Sequence, residues 1–168
     1  MTSAVRGRLL LGGGAAVVLA ADQLSKFWVV QNLPEQVPVD VFPWLHPVLS
    51  FTYLNNTGVA FGLFPQFGDF FTILAAVVVV AIIFFYHTLD SDDWLTQLAL
   101  GLQVGGALGN LADRLCRGSV VDFLDVNFWP LQAWPVFNLA DSAIVVGVIL
   151  LLFHTWQQES TQEPIPDV

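Results

Sequence analysis

The chain has 168 residues, enough for one domain, and is 55% hydrophobic with only 11% charged residues. Soluble domains carry about 25% charged residues, so the composition excludes an ordinary soluble domain and argues an integral membrane protein. A net charge of −9 argues against nucleic acid as a partner, and a single cysteine, Cys116, excludes an intrachain disulfide.

Arg6 and Arg8 precede the apolar run from Leu9 to Ala21. A basic start, an apolar core and the small pair Ala20-Ala21 fit a cleavable signal peptide. The apolar character continues through Leu24, Phe27, Trp28 and Val30. A helix over 9–30 would be about 33 Å long, enough to cross the hydrocarbon core, so an uncleaved first span is expected. Asp22 and Lys26 lie on it four residues apart, acid first. Two readings stay open: a neutralising pair near the interface with Lys26 snorkelling, or part of a polar site.

Pro34, Pro38, Pro43 and Pro47 interrupt any long helix over 31–66. Val48 to Phe61 looks strand-like on both sides of Asn55-Asn56-Thr57-Gly58, which predicts a β-hairpin outside the bilayer or on its surface. Residues 67–87 form the second expected span, with Asp69 near its start, and a short acidic loop follows. The third span, 94–111, carries no charge; Gly101, Gly105 and Gly109 share one face, which predicts close helix packing. Residues 112–135 read as a loop with Trp129 and Trp134 as interface anchors, 136–156 as the fourth span, and 157–168 as a polar tail. The expected fold is a single all-α membrane domain of four transmembrane helices with a small extracytoplasmic β-hairpin. His46, His87 and His154 are far apart and no Cys/His cluster has metal spacing, so neither metal nor cofactor is expected.

Four spans put both termini on one side, and the basic N-terminus marks that side as cytoplasmic. Asp22 and Lys26 then reach the far end of span one, and Asn56 precedes span two. Asn110, Asp113 and Arg114 end span three, Asp122 follows in the loop, and Asn138 and Asp141 open span four. All meet at one membrane face. An Asp or Arg at a helix centre costs about 2.5–3.5 kcal/mol, so this convergence predicts one polar site. Asp122 and Asp141 are the pair chosen for chemistry. Two carboxylates about 3 Å apart share one proton; one then serves a water as base and the other serves the carbonyl and leaving amine as acid. Each residue alone has a plainer reading. Asp141 suits a helix N-terminus, Asn138 an N-cap, and Asp122 an ordinary loop. Asn110 and Arg114 either face the site together or leave Arg114 paired with Asp113. Rival functions are a proton or ion pathway, against which no chain of ionisable groups crosses the spans, and a structural subunit packing through its glycine face.

Five pieces occur in order: DQLSK (Asp22 to Lys26), NTGVAF (Asn56 to Phe61), GGALGNLADR (Gly105 to Arg114), VVDF (Val120 to Phe123) and FNLADS (Phe137 to Ser142). Together they resemble the lipoprotein signal peptidases, or signal peptidase II. The resemblance implies four transmembrane helices in the bacterial inner membrane, both termini cytoplasmic. It implies an aspartyl dyad, Asp122 and Asp141, at the outer face. It further implies substrate-binding or dyad-supporting roles for Asp22, Lys26, Asn56, Asn110, Arg114 and Asn138. The implied substrate is a prolipoprotein whose cysteine already carries a diacylglyceryl group, cut just before that cysteine. Partners are then this substrate and membrane lipid, not nucleic acid, and a monomer is expected. Val59 stands where the family often has a small residue, and the acidic inner loop and tail depart from the usual basic bias.

Overall fold

The structure is a computed structural model that describes residues 3–45, 48–58 and 93–161, with a few helical positions between 73 and 84. The described elements run in the order α1 (Ser3–Asn32), β1 (Pro38–Val39), a 3-10 turn (Pro43–Leu45), β2 (Leu49–Asn56), α2 (Trp94–Arg117), β3 (Val120–Val126) and α3 (Leu139–Thr161). The expected second span, 67–87, lies largely outside the described residues, as do His46, Val59, Asp69 and His87.

The stretches Val5–Asn32 and Leu139–Ser160 are long and apolar enough to cross a membrane. Their surfaces invert the soluble pattern. Leu9, Leu24 and Phe27 on α1 and Ile149 and Leu152 on α3 face outward, while Asp22, Lys26 and Asp113 are fully buried at 0% exposure. Apolar side chains outside and paired charges inside suit a hydrocarbon surrounding.

α2 packs against both α1 and α3, and its glycines explain how. The face shared by Gly101, Gly105 and Gly109 lies on α1, where a Cβ at Gly105 would stand 2.6 Å from the Ala15 carbonyl oxygen. Gly106, one residue on, turns toward α3, where a Cβ would collide with the Ala140 carbonyl oxygen. Without side chains at these points the backbones approach closely enough for polar groups on three helices to meet.

The sheet is antiparallel, with β2 between β1 and β3. Leu54 pairs with Asp122 and Asn56 with Val120, after a register shift between Phe51 and Leu54. The sheet sits over the C-terminal end of α1, where Val29 packs with Val121 and Phe123 and with Leu33, Phe51 and Leu139 around them. The Phe51 and Phe123 rings lie 5.4 Å apart, a close aromatic contact.

The expected hairpin at residues 55–58 has its second arm, after Gly58, outside the described residues. β2 ends at that turn, and its described partners are β1 before it and β3 far along the chain. Asn56 and Gly58 form a local Asx turn, with Gly58 N donating to Asn56 Oδ1 at 3.0 Å. Turn chemistry is therefore present there, but it does not specify the pairing of β2 with β3. One expectation changes, and it concerns 112–135. α2 continues to Arg117, and Val120–Val126 is a strand, so Asp122 stands on a sheet instead of in a loop.

Candidate active site

α2 ends where the backbone turns left-handed. Gly118 has φ 75° and its N–H donates to the Arg114 carbonyl at 3.1 Å, closing the last turn. Arg114 and Arg117 stand in that turn, favourable for the helix dipole. The reversal at Gly118 lets Val120 start β3 and carries Asp122 back toward the bundle. β3 is then clipped to the segment entering α3. Phe123 N and Leu124 N donate to the Phe137 carbonyl at 2.9 and 2.7 Å, and Phe137 N donates to the Leu124 carbonyl at 3.1 Å.

The next residue, Asn138, caps α3. Its Oδ1 accepts from Asp141 N at 2.9 Å, and Asp141 Oδ2 accepts from Asn138 N at 3.3 Å. This is a reciprocal capping box built from Asn and Asp. The capping reading of both residues and the site reading therefore hold together: the cap is what fixes the Asp141 carboxylate.

The two carboxylates are linked through amides. Asp122 accepts from Asn138 Nδ2 at 2.6 Å and from Asn56 Nδ2 at 2.8 Å. Asp141 Oδ1 accepts from Asn110 Nδ2 at 2.7 Å. Asn110 Oδ1 accepts in turn from Lys26 Nζ at 2.9 Å and from Asn138 Nδ2 at 3.2 Å. An ammonium can only donate, so Lys26 holds the oxygen of Asn110 and leaves its NH₂ for Asp141.

Beneath this layer Lys26 Nζ lies 2.9 Å from Asp22 Oδ2 and 3.0 Å from Asp113 Oδ2. All three side chains are buried, so Lys26 does not snorkel to the interface. Each acid also grips a backbone amide. Asp22 Oδ1 accepts from Ala140 N at 3.0 Å, and Asp113 Oδ2 accepts from Val121 N at 3.1 Å. Those amides immediately precede Asp141 and Asp122. One lysine thus neutralises two acids, each of which holds the chain beside one of the two site carboxylates. Gln23 Nε2 ties the group together through Asp22 at 3.2 Å, Asp113 at 3.2 Å and the Gly109 carbonyl at 3.1 Å.

Asp113 turns to Lys26 and to Arg117, whose Nε is 3.4 Å away, while Arg114 lines a cavity beside Asn110. The cavity holds about 590 Å³. Asp122, Asp141, Asn56, Asn110 and Arg114 stand at one end; Phe137, Ile144, Val145 and Val146 line the rest. A polar end on an apolar trough suits an apolar chain with one reacting polar bond. Burial, and next the Asp141 carboxylate, push Asp122 up to about 6, against the hydrogen bonds from Asn56 and Asn138 and the Lys26 charge. Among the described residues no three His, Cys, Asp or Glu side chains are grouped to hold a metal ion.

The structure therefore brings together all eight residues singled out from the sequence. It gives a part to two more, Asp113 and Gln23. The sequence places Asp113 at the end of span three among the polar groups that meet at one face, with no part there beyond pairing with Arg114, and Gln23 only within DQLSK. Both point between helices, away from the cavity, so their part depends on a helix contact that spacing does not reveal.

The chain is similar to known proteins. A family model described as signal peptidase (SPase) II matches residues 14–157. A lipoprotein signal peptidase of Moorella thermoacetica is 46% identical, over 85% of this chain and 88% of its own. One of Halothermothrix orenii is 39% identical, over 85% of this chain and 92% of its own. Two solved structures, each described as a bacterial membrane enzyme obtained by the in meso method, are also similar. One has a TM-score of 0.81 at 30% identity, covering 92% of both chains. The other has a TM-score of 0.75 at 32% identity, covering 84% of this chain and 89% of its own.

Proposed function

The chain belongs to the signal peptidase II family, a family of proteases, and from that membership we propose that it is a membrane aspartic endopeptidase. It removes the signal peptide from diacylglyceryl-modified bacterial prolipoproteins, cutting just before the modified cysteine. The observation that carries this reading is the meeting of Asp122 and Asp141 at the polar end of a cavity whose trough is apolar.

Burial and the facing Asp141 carboxylate push Asp122 up to about 6, and below that pH the two carboxylates share one proton. The ionised carboxylate takes a proton from water as the water oxygen bonds to the scissile carbonyl carbon. The protonated carboxyl gives its proton to the carbonyl oxygen. In the collapse the C–N bond breaks, the nitrogen takes a proton and the signal peptide leaves as a carboxylic acid. Asn56, Asn110 and Asn138 orient the two carboxylates, with Asp22 and Lys26 behind them, and Arg114 faces the substrate. The enzyme has four transmembrane helices with both termini cytoplasmic, and its site works at the outer boundary of the inner membrane. There the signal helix lies along α3 and the lipid tails stay in hydrocarbon, contributing about 0.8 kcal/mol per methylene buried.

Purified protein in detergent, given a lipidated precursor and the same precursor with its cysteine changed to serine, tests the reading. The unlipidated precursor should be cleaved at least about tenfold more slowly, about 1.4 kcal/mol in the transition state. Asp122→Asn and Asp141→Asn should each abolish cleavage, whereas Asp125→Asn, whose carboxylate is held by Thr52 at 2.6 Å, should matter far less. Equal cleavage of both precursors, or activity that survives loss of either dyad carboxylate, refutes it.

A further inference from the structure

A second cavity, of about 500 Å³, meets the first at Asp122. It also shares Asn56, Gly58 and Trp134 to Val136 with the first, and Glu35, Asn55 and Thr57 line it alone. The two differ in construction. The first takes part of its wall from α2 and α3, whereas every described residue lining the second belongs to a strand or a connecting segment. The second cavity therefore lies beyond the helix ends, on the sheet side of the dyad.

Among the described residues, Glu35 and Asp122 are the ionisable ones on its wall, and no described Lys or Arg lines it. The side chain has a set position. Asn55 Nδ2 donates to Glu35 Oε1 at 2.9 Å, and Ser119 Oγ donates to Asn55 Oδ1 at 3.3 Å. The backbone beside it is held too, since Gln36 N donates to the Tyr53 carbonyl at 2.8 Å.

We propose that this second cavity receives the polypeptide that follows the cleaved bond, and that Glu35 there selects a cationic side chain. The proposal rests on the peptidase reading given above. A substrate whose signal helix fills the apolar trough and whose scissile bond lies over Asp122 has to continue past Asp122. The second cavity is the one that opens from that carboxylate. Register indicates where Glu35 acts. Glu35 bridges Tyr53, while Asp122 pairs with the adjacent Leu54. The backbones of Glu35 and Asp122 are thus two strand spacings apart, about 10 Å, with their side chains on opposite faces of β2, and the cavity joins the two faces around the strand's end at Asn56, Thr57 and Gly58, a path that takes at least roughly three extended residues. Counting the cysteine as the first residue after the bond, the side chains that meet Glu35 are those one and two positions beyond it.

The experiment uses the full-length protein in uncharged detergent and three lipidated precursors, with Lys, Ala or Asp at both positions after the cysteine. The ratio of kcat/KM for the Lys and Asp precursors should be about fivefold, the upper range of an exposed ion pair, and should shrink in high salt. Glu35→Gln should bring the ratio close to one, and Glu35→Lys should invert it. A wild-type ratio near one, or a ratio that Glu35→Lys leaves unchanged, overturns the assignment of the cavity while leaving the peptidase reading intact. Failure of the wild type to cleave any of the three would overturn the peptidase reading, and the occupant of the cavity with it.

Discussion

Asp122 takes both its place and its charge from two amides. Asn56 and Asn138 donate to its two oxygens, and hydrogen bonds of this kind favour the ionised form. Burial and the facing Asp141 carboxylate act the other way and prevail, leaving Asp122 at about 6. The doubly ionised pair lacks the acid that the carbonyl oxygen needs. For precursor cleavage, kcat/KM should therefore fall as pH rises past about 6, by about tenfold per unit. Asn56→Ala removes a donor to the ionised carboxylate, so the pKa rises and the falling limb should move to higher pH. A pH series on wild type and variant checks this, and a limb that moves to lower pH contradicts it.

At the scale of elements, the site is an agreement among three helix ends and a strand. Lys26 on α1 neutralises Asp22 on the same helix and Asp113 on α2. Those acids reach the first turn of α3 and the start of β3. Lys26→Met would leave buried Asp22 without a cation and Asp113 with only the partly exposed Arg117. Removing one partner of a buried charge pair costs about 3–5 kcal/mol, and this variant should lose that much stability and fail to hold the dyad. Gly118→Ala breaks nothing in the network but places a Cβ at φ 75°, where an L residue costs about 1–2 kcal/mol. Thermal unfolding in detergent should rank the two in that order, with activity retained in Gly118→Ala at low temperature. The reverse ranking would show that the lysine group is peripheral.

At the scale of the molecule, an apolar exterior encloses a charged interior. That distribution suits a bilayer, and the proposed four-span arrangement makes it testable. Reporter fusions near residue 90 and at the C-terminus should read cytoplasmic, and fusions near 45 and 125 external. The sheet over the end of α1 and the polar end of the cavity would then both lie at the outer boundary. An external signal at residue 90 rules the arrangement out.

Composition and periodicity by themselves determined that this is a membrane protein, where its apolar runs lie, and which glycines let helices approach. The order of five short motifs pointed to a family and to eight residues at one end of the bundle. Those signals are local, because a period, a cap or a turn is decided by residues a few positions apart. The pairing of β2 with β3 was not legible, since the turn residues at Asn55 to Gly58 specify a reversal and not a partner. Nor was the strand under Asp122, because its short VVDFLDV run joins a sheet only when β2 and the end of α1 are there to bury it. The grip of Asp22 on Ala140 and of Asp113 on Val121 likewise awaited the structure. Contacts between residues far apart form only when close packing, here through Gly105 and Gly106, repays the entropy of bringing them together.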